Sequence, residues 1–217
     1  MKKPAEVYQP RQKRSRESLR RMLDAAETVL DKHGLEGATV ARIAATARLS
    51  PANVYRRFPD KDALMRAVFS RATETNKAEL AREPDQEQTR KMGIRTFAEK
   101  WIAAMLQGYR TRTGLMRATV LYAQQHEQVP FVRQQRELEV QNFRKLVKTF
   151  LIWKEEIRHP DPEYAVSYGI LTVAFALREL ILFDQARMFG QALPVGDDQL
   201  KAELPRVFLR YLGIETD

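Results

Sequence analysis

The side chains best suited to chemistry crowd into one stretch, Thr39 to Lys61. It reads Thr39-Val40-Ala41-Arg42-Ile43-Ala44-Ala45-Thr46-Ala47-Arg48-Leu49-Ser50-Pro51-Ala52-Asn53-Val54-Tyr55-Arg56-Arg57-Phe58, and Pro59-Asp60-Lys61 follow. The chemistry these residues offer is binding. Arg42, Arg56, Arg57 and the Tyr55 hydroxyl can donate to phosphate oxygens. Ser50, Pro51 and Ala52 are small enough to approach base edges, and the Asn53 amide can pair with an adenine edge. Each has a plainer reading beside this one. Tyr55 can be a packed core tyrosine, Thr39 a helix cap, and each arginine ordinary surface charge.

Catalytic chemistry finds no comparable constellation. The histidines are His33, His126 and His159, and they form neither an H-E-x-x-H pattern nor another metal-ligand spacing. His33 sits in the last turn of a predicted helix, where a cation is favoured, so capping or packing explains it. No G-x-S-x-G, P-loop or G-x-G-x-x-G occurs, and carboxylates are scattered over polar helix faces. The chain has no cysteine, which excludes disulfides, thiolate zinc sites and a cysteine nucleophile. The expectation is a protein that is not an enzyme, with no catalytic residue, metal or cofactor.

The charge points the same way. The chain has 217 residues, with 37 Lys+Arg against 28 Asp+Glu and a formal charge of +9. Residues 1–80 hold 17 basic and 10 acidic groups, whereas the rest is close to balance. Residues 1–21 alone carry eight basic groups and two acidic ones. A basic end beside a neutral remainder suits a polyanion partner, and it equally suits a solvated tail. For Lys13, Arg14 and Arg16 singly, both readings stand: contact with the nucleic-acid backbone or minor groove, or solvation. The N-terminus lacks the apolar run of a secretory signal. The longest apolar segment, Tyr164 to Leu177, is short for a membrane span. The expectation is a soluble cytoplasmic protein with no membrane partner.

These side chains need helices to position them. Apolar residues recur at helical spacing in nearly every long segment, and no strand alternation is evident. A first helix is expected over about Ser15–His33, with Gly34 as its C-terminal stop. Thr39 caps a second helix from Val40 to about Ala47, and Ser50 caps a third with Pro51 at its first position. Asp60 caps a fourth over about Lys61–Ala81. Longer helices follow at about Thr89–Thr111, Leu115–Gln125, Phe131–Ile157, Glu163–Phe189 and Asp198–Leu212. Pro205 is expected to kink or restart the last of them. The second and third helices form a helix-turn-helix, whose second helix can lie in the DNA major groove. Ile43, Ala44, Ala47, Leu49, Val54 and Phe58 are its expected buried set.

The stretch from about 15 to 70 resembles the DNA-binding domain of the tetracycline-repressor (TetR) family of bacterial transcription regulators. Gly34, Thr39, Ile43, Ala44, Ala47, Leu49, Ser50, Tyr55, Phe58, Lys61 and Leu64 carry the resemblance. Two positions depart from it. Arg48 stands where the family's turn usually has Gly, and Arg57 where an aromatic residue or His usually precedes Phe58. The resemblance implies an all-α fold: a three-helix helix-turn-helix domain at 15–60 after a basic tail at 1–14. A larger helical domain at 61–217 would follow, with 61–81 as a connecting helix. It implies DNA contacts from Arg16, Thr39, Arg42, Ser50, Pro51, Ala52, Asn53, Tyr55, Arg56, Arg57 and Lys61. Thr39 and Lys61 would meet phosphates at the starts of helices two and four.

Beyond residue 81 the residues say less. The segment Tyr164 to Phe183 is apolar nearly all round, so it must be buried on more than one face. Its second partner is either another subunit or a wholly intramolecular core; Gly169 could allow a close helix crossing. The resemblance implies a homodimer through the two C-terminal helices, on a roughly palindromic double-stranded DNA site. It also implies a small-molecule effector in the C-terminal domain and a repressor controlled by it. Trp101, Met105, Tyr109, Met116, Tyr122, Phe143, Tyr168, Thr172 and Phe175 are the candidates to line its pocket; each can equally be core. Arg178 and Glu179 could hold an anionic ligand, pair across a dimer or point to solvent. The competing function is a DNA-binding, chromosome-organising protein of the same fold without an effector.

Overall fold

The computed structural model describes residues 10–80, 85–183 and 196–215. Among them every regular element is helical. The chain divides into two compact units, 1–75 and 76–217. Most of the fourth helix therefore falls within the first unit, whereas the sequence assigns 61–81 to the larger domain as a connecting helix.

The first unit holds α1 (Pro10–Gly37), α2 (Val40–Thr46), α3 (Pro51–Tyr55) and the greater part of α4 (Lys61–Leu80). Helix α1 is interrupted at Gly34, whose φ of 66° and ψ of −173° leave the helical region. The predicted stop is thus real, although helical turns resume to Gly37. Met22, Ala26, Val29 and Leu30 of α1 pack with Ile43, Ala44, Val54, Leu64, Met65, Val68 and Phe69 in a buried core. This stripe explains why the short α2 and α3 hold their shape: helices of seven and five residues are too short to persist without tertiary packing.

An ionic clasp adds to that core. Arg71 of α4 donates from Nε and Nη2 to Glu27 Oε1 at 2.9 and 2.6 Å, and from Nη1 to Asp24 Oδ1 at 2.8 Å. Its guanidinium is thereby shared by two carboxylates one turn apart on α1.

The second unit holds α5 (Gln86–Met92), α6 (Ile94–Thr111), α7 (Thr113–Gln125), α8 (Pro130–Phe150), α9 (Pro162–Leu177) and α10 (Asp197–Tyr211). Helices α6, α9 and α10 pack on one another around an aromatic centre. The Phe150 ring lies 5.0 Å from Phe208, 4.9 Å from Phe97 and 5.6 Å from Trp101. These edge-on arrangements set positive ring edges against negative faces.

Four details depart from the sequence expectation. Gly93, with φ 79°, splits the helix expected over 89–111 into α5 and α6. The helix expected over 131–157 ends at Phe150 and continues as a 3₁₀ segment, Leu151–Glu156. There the buried Trp153 leaves helical dihedrals and donates from Nε1 to the Arg90 carbonyl at 3.4 Å. Helix α9 passes into a π-helical turn, Arg178–Leu182. Finally, α10 runs through the buried Pro205 without a restart, giving up one backbone hydrogen bond. The remainder of the helix expected to Phe189 lies outside the described residues. By length and composition alone, Pro162–Leu182 could cross a membrane. In the structure it is the core helix of the second unit, and Ala165, Val166, Ile170, Val173, Leu177, Ile181 and Leu182 face inward.

Candidate nucleic-acid interface

Two capped turns build the candidate site. Thr39 Oγ1 accepts from Arg42 N at 3.2 Å and starts α2. Ser50 Oγ accepts from Asn53 N at 3.4 Å and starts α3. Between them, Arg48 N bonds the Ala45 carbonyl at 3.0 Å and Leu49 N the Ala44 carbonyl at 2.9 Å. This pair of bonds is a Schellman motif, which needs a left-handed residue at its centre. Arg48 supplies it with φ 56°, the one non-glycine residue with positive φ among those described. The departure at this position is thus solved by conformation, at a steric cost glycine would avoid. Ile43, Ala44, Ala47, Val54 and Phe58 are buried as expected, whereas Leu49 is only half-buried.

Locked in this way, the two helices present a surface without a carboxylate from Thr39 to Phe58. Tyr55 is 54% exposed. Ser50, Pro51, Ala52, Arg56 and Arg57 are exposed as well, and Asn53 is half-buried. Asn53 Nδ2 donates to Ser50 Oγ at 3.1 Å, which fixes the amide and leaves its oxygen and second N–H for another partner. Arg42 Nη1 bonds the Gly37 carbonyl at 2.5 Å, and Lys61 Nζ bonds the Leu35 carbonyl at 3.0 Å. Both cations therefore hold the carbonyl end of α1. Arg57 Nη2 donates to Ser15 O at 3.1 Å and to Ser15 Oγ at 2.6 Å. Ser15, Ser18, Met22, Asn53, Arg56 and Arg57 line a hollow between α1 and α3. Arg16 is exposed near the start of α1. Ser15, Asp24, Glu27 and Arg71 were not among the sequence candidates; only contact across the fold reveals them.

In the second unit the effector candidates fall into separate groups. Trp101, Met105, Tyr109 and Phe143 pack against the core. Met116 is half-buried on α7, and Tyr122 is buried with its ring stacked on His126 at 4.1 Å. Tyr168, Thr172 and Phe175 instead point outward from α9, with Tyr168 and Phe175 each 51% exposed. The structure does not bring these three together with the inner group. Arg178 donates to Glu179 Oε1 from Nε at 3.0 Å and Nη2 at 2.9 Å, and lies 4.9 Å from the Phe175 ring centroid. Burial pushes the Tyr109 phenol above its ordinary range; Arg178 opposes this and Glu139 adds to it. No cluster of metal-ligating side chains occurs among the described residues.

The architecture is all-α, a helix-turn-helix packed on α1 and α4 followed by a larger all-helical unit. Residues 22–68 match the sequence model of the family described as bacterial regulatory proteins, tetR family. Solved structures extend the likeness over the whole fold. A transcriptional regulator from Rhodococcus sp. RHA1 superposes with a TM-score of 0.64 at 18% identity, covering 90% of this chain and 96% of that one. A TetR transcription regulator from Haloarcula marismortui gives 0.63 at 14% identity, covering 91% and 97%. Salmonella enterica GusR gives 0.59 at 17% identity, covering 96% and 100%. No curated protein matches the chain in sequence.

Proposed function

We propose that this protein is a sequence-specific DNA-binding transcription regulator. It acts as a homodimeric repressor on a roughly palindromic operator, under the control of a small-molecule effector. The observation that carries the DNA-binding reading is the outward, carboxylate-free surface of α3, held by a capped turn. Tyr55, Arg56 and Arg42 meet phosphates, while Ser50, Pro51, Ala52 and Asn53 approach base edges. Thr39 and Lys61 border the same surface.

Tyr164, Tyr168, Leu171 and Phe175 support dimerisation. They are all exposed and recur at helical spacing along α9, and Val207 of α10 is exposed too. Such a row on a soluble chain marks a surface to be covered. A twofold pair of heads would meet half-sites about 34–36 Å apart or a multiple of that. Trp101, Met105, Tyr109, Met116, Tyr122 and Phe143 are the residues from which an effector pocket would be made. An effector acts only by binding one conformation better than the other. Under this reading the DNA-binding domain spans 15–60 and the ligand-binding and dimerisation domain 61–217.

The test is binding to labelled duplex DNA from upstream of the protein's own gene. Wild type and Tyr55→Ala are compared across a salt series, against a scrambled competitor. Competitor-resistant binding that Tyr55→Ala loses supports the reading. Equal binding to both DNAs leaves only the charge-driven component and overturns sequence specificity there. Binding to many unrelated sites with no response to any small molecule favours the chromosome-organising alternative.

A further inference from the structure

We infer that Ser50 is a positioning residue for the Asn53 amide: it fixes which way that amide faces, and so makes Asn53 a reader of adenine. This deepens the DNA-binding reading above, on which it rests.

The two residues form a closed loop of hydrogen bonds. Ser50 Oγ accepts from Asn53 N at 3.4 Å and from Asn53 Nδ2 at 3.1 Å. A serine hydroxyl has two lone pairs and one proton. Both lone pairs are taken by Asn53, so this oxygen has none left with which to accept from a base. Ser50 therefore shapes recognition through its neighbour. The backbone bond pins the hydroxyl oxygen, and the pinned oxygen sets the amide. An asparagine amide carries one acceptor oxygen and two N–H donors, and turning it over exchanges them. With one N–H turned back to Ser50, an acceptor and a single donor remain.

That remaining pair decides the base. In the major groove adenine offers the N6 amino donor and the N7 acceptor, whereas guanine offers two acceptors, O6 and N7. One acceptor with one donor matches adenine at both atoms. Against guanine the amide oxygen would face O6, and both oxygens would lose a partner. An amide turned the other way, accepting from Ser50 and showing both N–H groups, would match guanine instead. The surroundings leave the amide free for a base. Asn53 is half-buried and lines the hollow between α1 and α3 with Arg56 and Arg57. No carboxylate lies between Thr39 and Phe58 to take its second N–H. The Arg57 guanidinium is held on Ser15. An amide oriented before DNA arrives also loses less freedom on binding.

The experiment uses the full-length protein and a pool of random-sequence duplexes. Bound duplexes are selected and sequenced for wild type, Asn53→Ala, Ser50→Gly and Ser50→Thr, and circular dichroism checks that each variant folds. Affinities are then measured on the preferred duplex with each of the four bases at the position where Asn53→Ala loses its preference. Glycine suits the test because it starts a helix nearly as well as serine while offering the amide no oxygen. Wild type is expected to prefer adenine there by about tenfold or more. Ser50→Gly should cut that preference to about threefold or less and leave other positions unchanged, whereas Ser50→Thr, which keeps the hydroxyl, should retain it. A purely structural Ser50 would instead weaken binding to all four duplexes by one factor, with the ratio unchanged, and that result overturns the inference. So does a preference for guanine, the mark of an amide turned over, and so does an Asn53→Ala protein with wild-type base preferences. These three outcomes remove this inference alone. A pool that yields no preferred sequence for wild type overturns the regulator reading and this inference together.

Discussion

Phe208 fills the space where Gly169 would carry a side chain. A Cβ at 169 would stand 2.7 Å from both Cδ2 and Cε2 of the Phe208 ring. Helices α9 and α10 cross closely there, and the ring is 1% exposed and wedged against Phe150 and Trp101. It has no free direction in which to retreat. Gly169→Val is expected to destabilise the protein by about 2 kcal/mol, the usual scale for overpacking a core. Urea unfolding reads this as a lower midpoint at unchanged slope. In a Phe208→Ala background the same substitution should cost clearly less, since the two residues compete for one volume.

Arg48 gives a prediction of opposite sign. Its φ of 56° is strained for a residue with a Cβ. Relieving that strain gains about 1–2 kcal/mol, part of which glycine's greater freedom in the unfolded chain takes back. Arg48→Gly should therefore stabilise by roughly 0.5–1 kcal/mol. Arg48→Val, with a branched Cβ, should destabilise by about 1 kcal/mol or more. Thermal melts of the three proteins at one ionic strength decide it; a melting point for Arg48→Gly below wild type would contradict the strain argument.

The clasp of Arg71 on Asp24 and Glu27 is half sheltered, with side chains 26%, 58% and 21% exposed. Arg71→Met keeps the stem but strands the carboxylates. A loss of about 1–2 kcal/mol is expected, discounted from the range for charged hydrogen bonds because of the exposure. Lys91→Met breaks a pair whose members are 74% and 78% exposed and should change stability by less than about 0.5 kcal/mol. Denaturant titrations of both variants should show this contrast.

Charges on the outward face of α9 test the proposed dimer. Tyr168→Glu with Phe175→Glu should shift sedimentation from a dimer to a monomer at micromolar concentration. Far-ultraviolet dichroism should stay helical, because neither ring is in the core. If both proteins sediment as the same species, the subunit contact lies elsewhere.

The helix-turn-helix was legible because its rules are local. Thr39 and Ser50 cap helices that begin one residue later, and the buried set follows from spacing along two short helices. Arg48 was legible as an anomaly, and its φ explains how the turn forms without glycine. The partner of Arg57 was hidden because it lies 42 residues away. Gly93 lies inside an otherwise helical pattern, and its φ of 79° reveals the break. Tyr168, Thr172 and Phe175 lie on a helix that is apolar on nearly every side, so its pattern has no phase from which to tell inside from outside. Trp153 leaves the helix for a partner on another segment, the Arg90 carbonyl, which no local pattern announces.

Under the proposed dimer, the exposed row on α9 makes the chain responsive to its own abundance. A protomer with three aromatic rings and a leucine turned to water gains by covering them, and that gain grows with the logarithm of concentration. In a cell holding few copies, the balance between lone and paired chains would move with each round of synthesis. Occupancy of a two-headed DNA site would then rise more steeply than protein number, so the amount of protein would itself act as a signal.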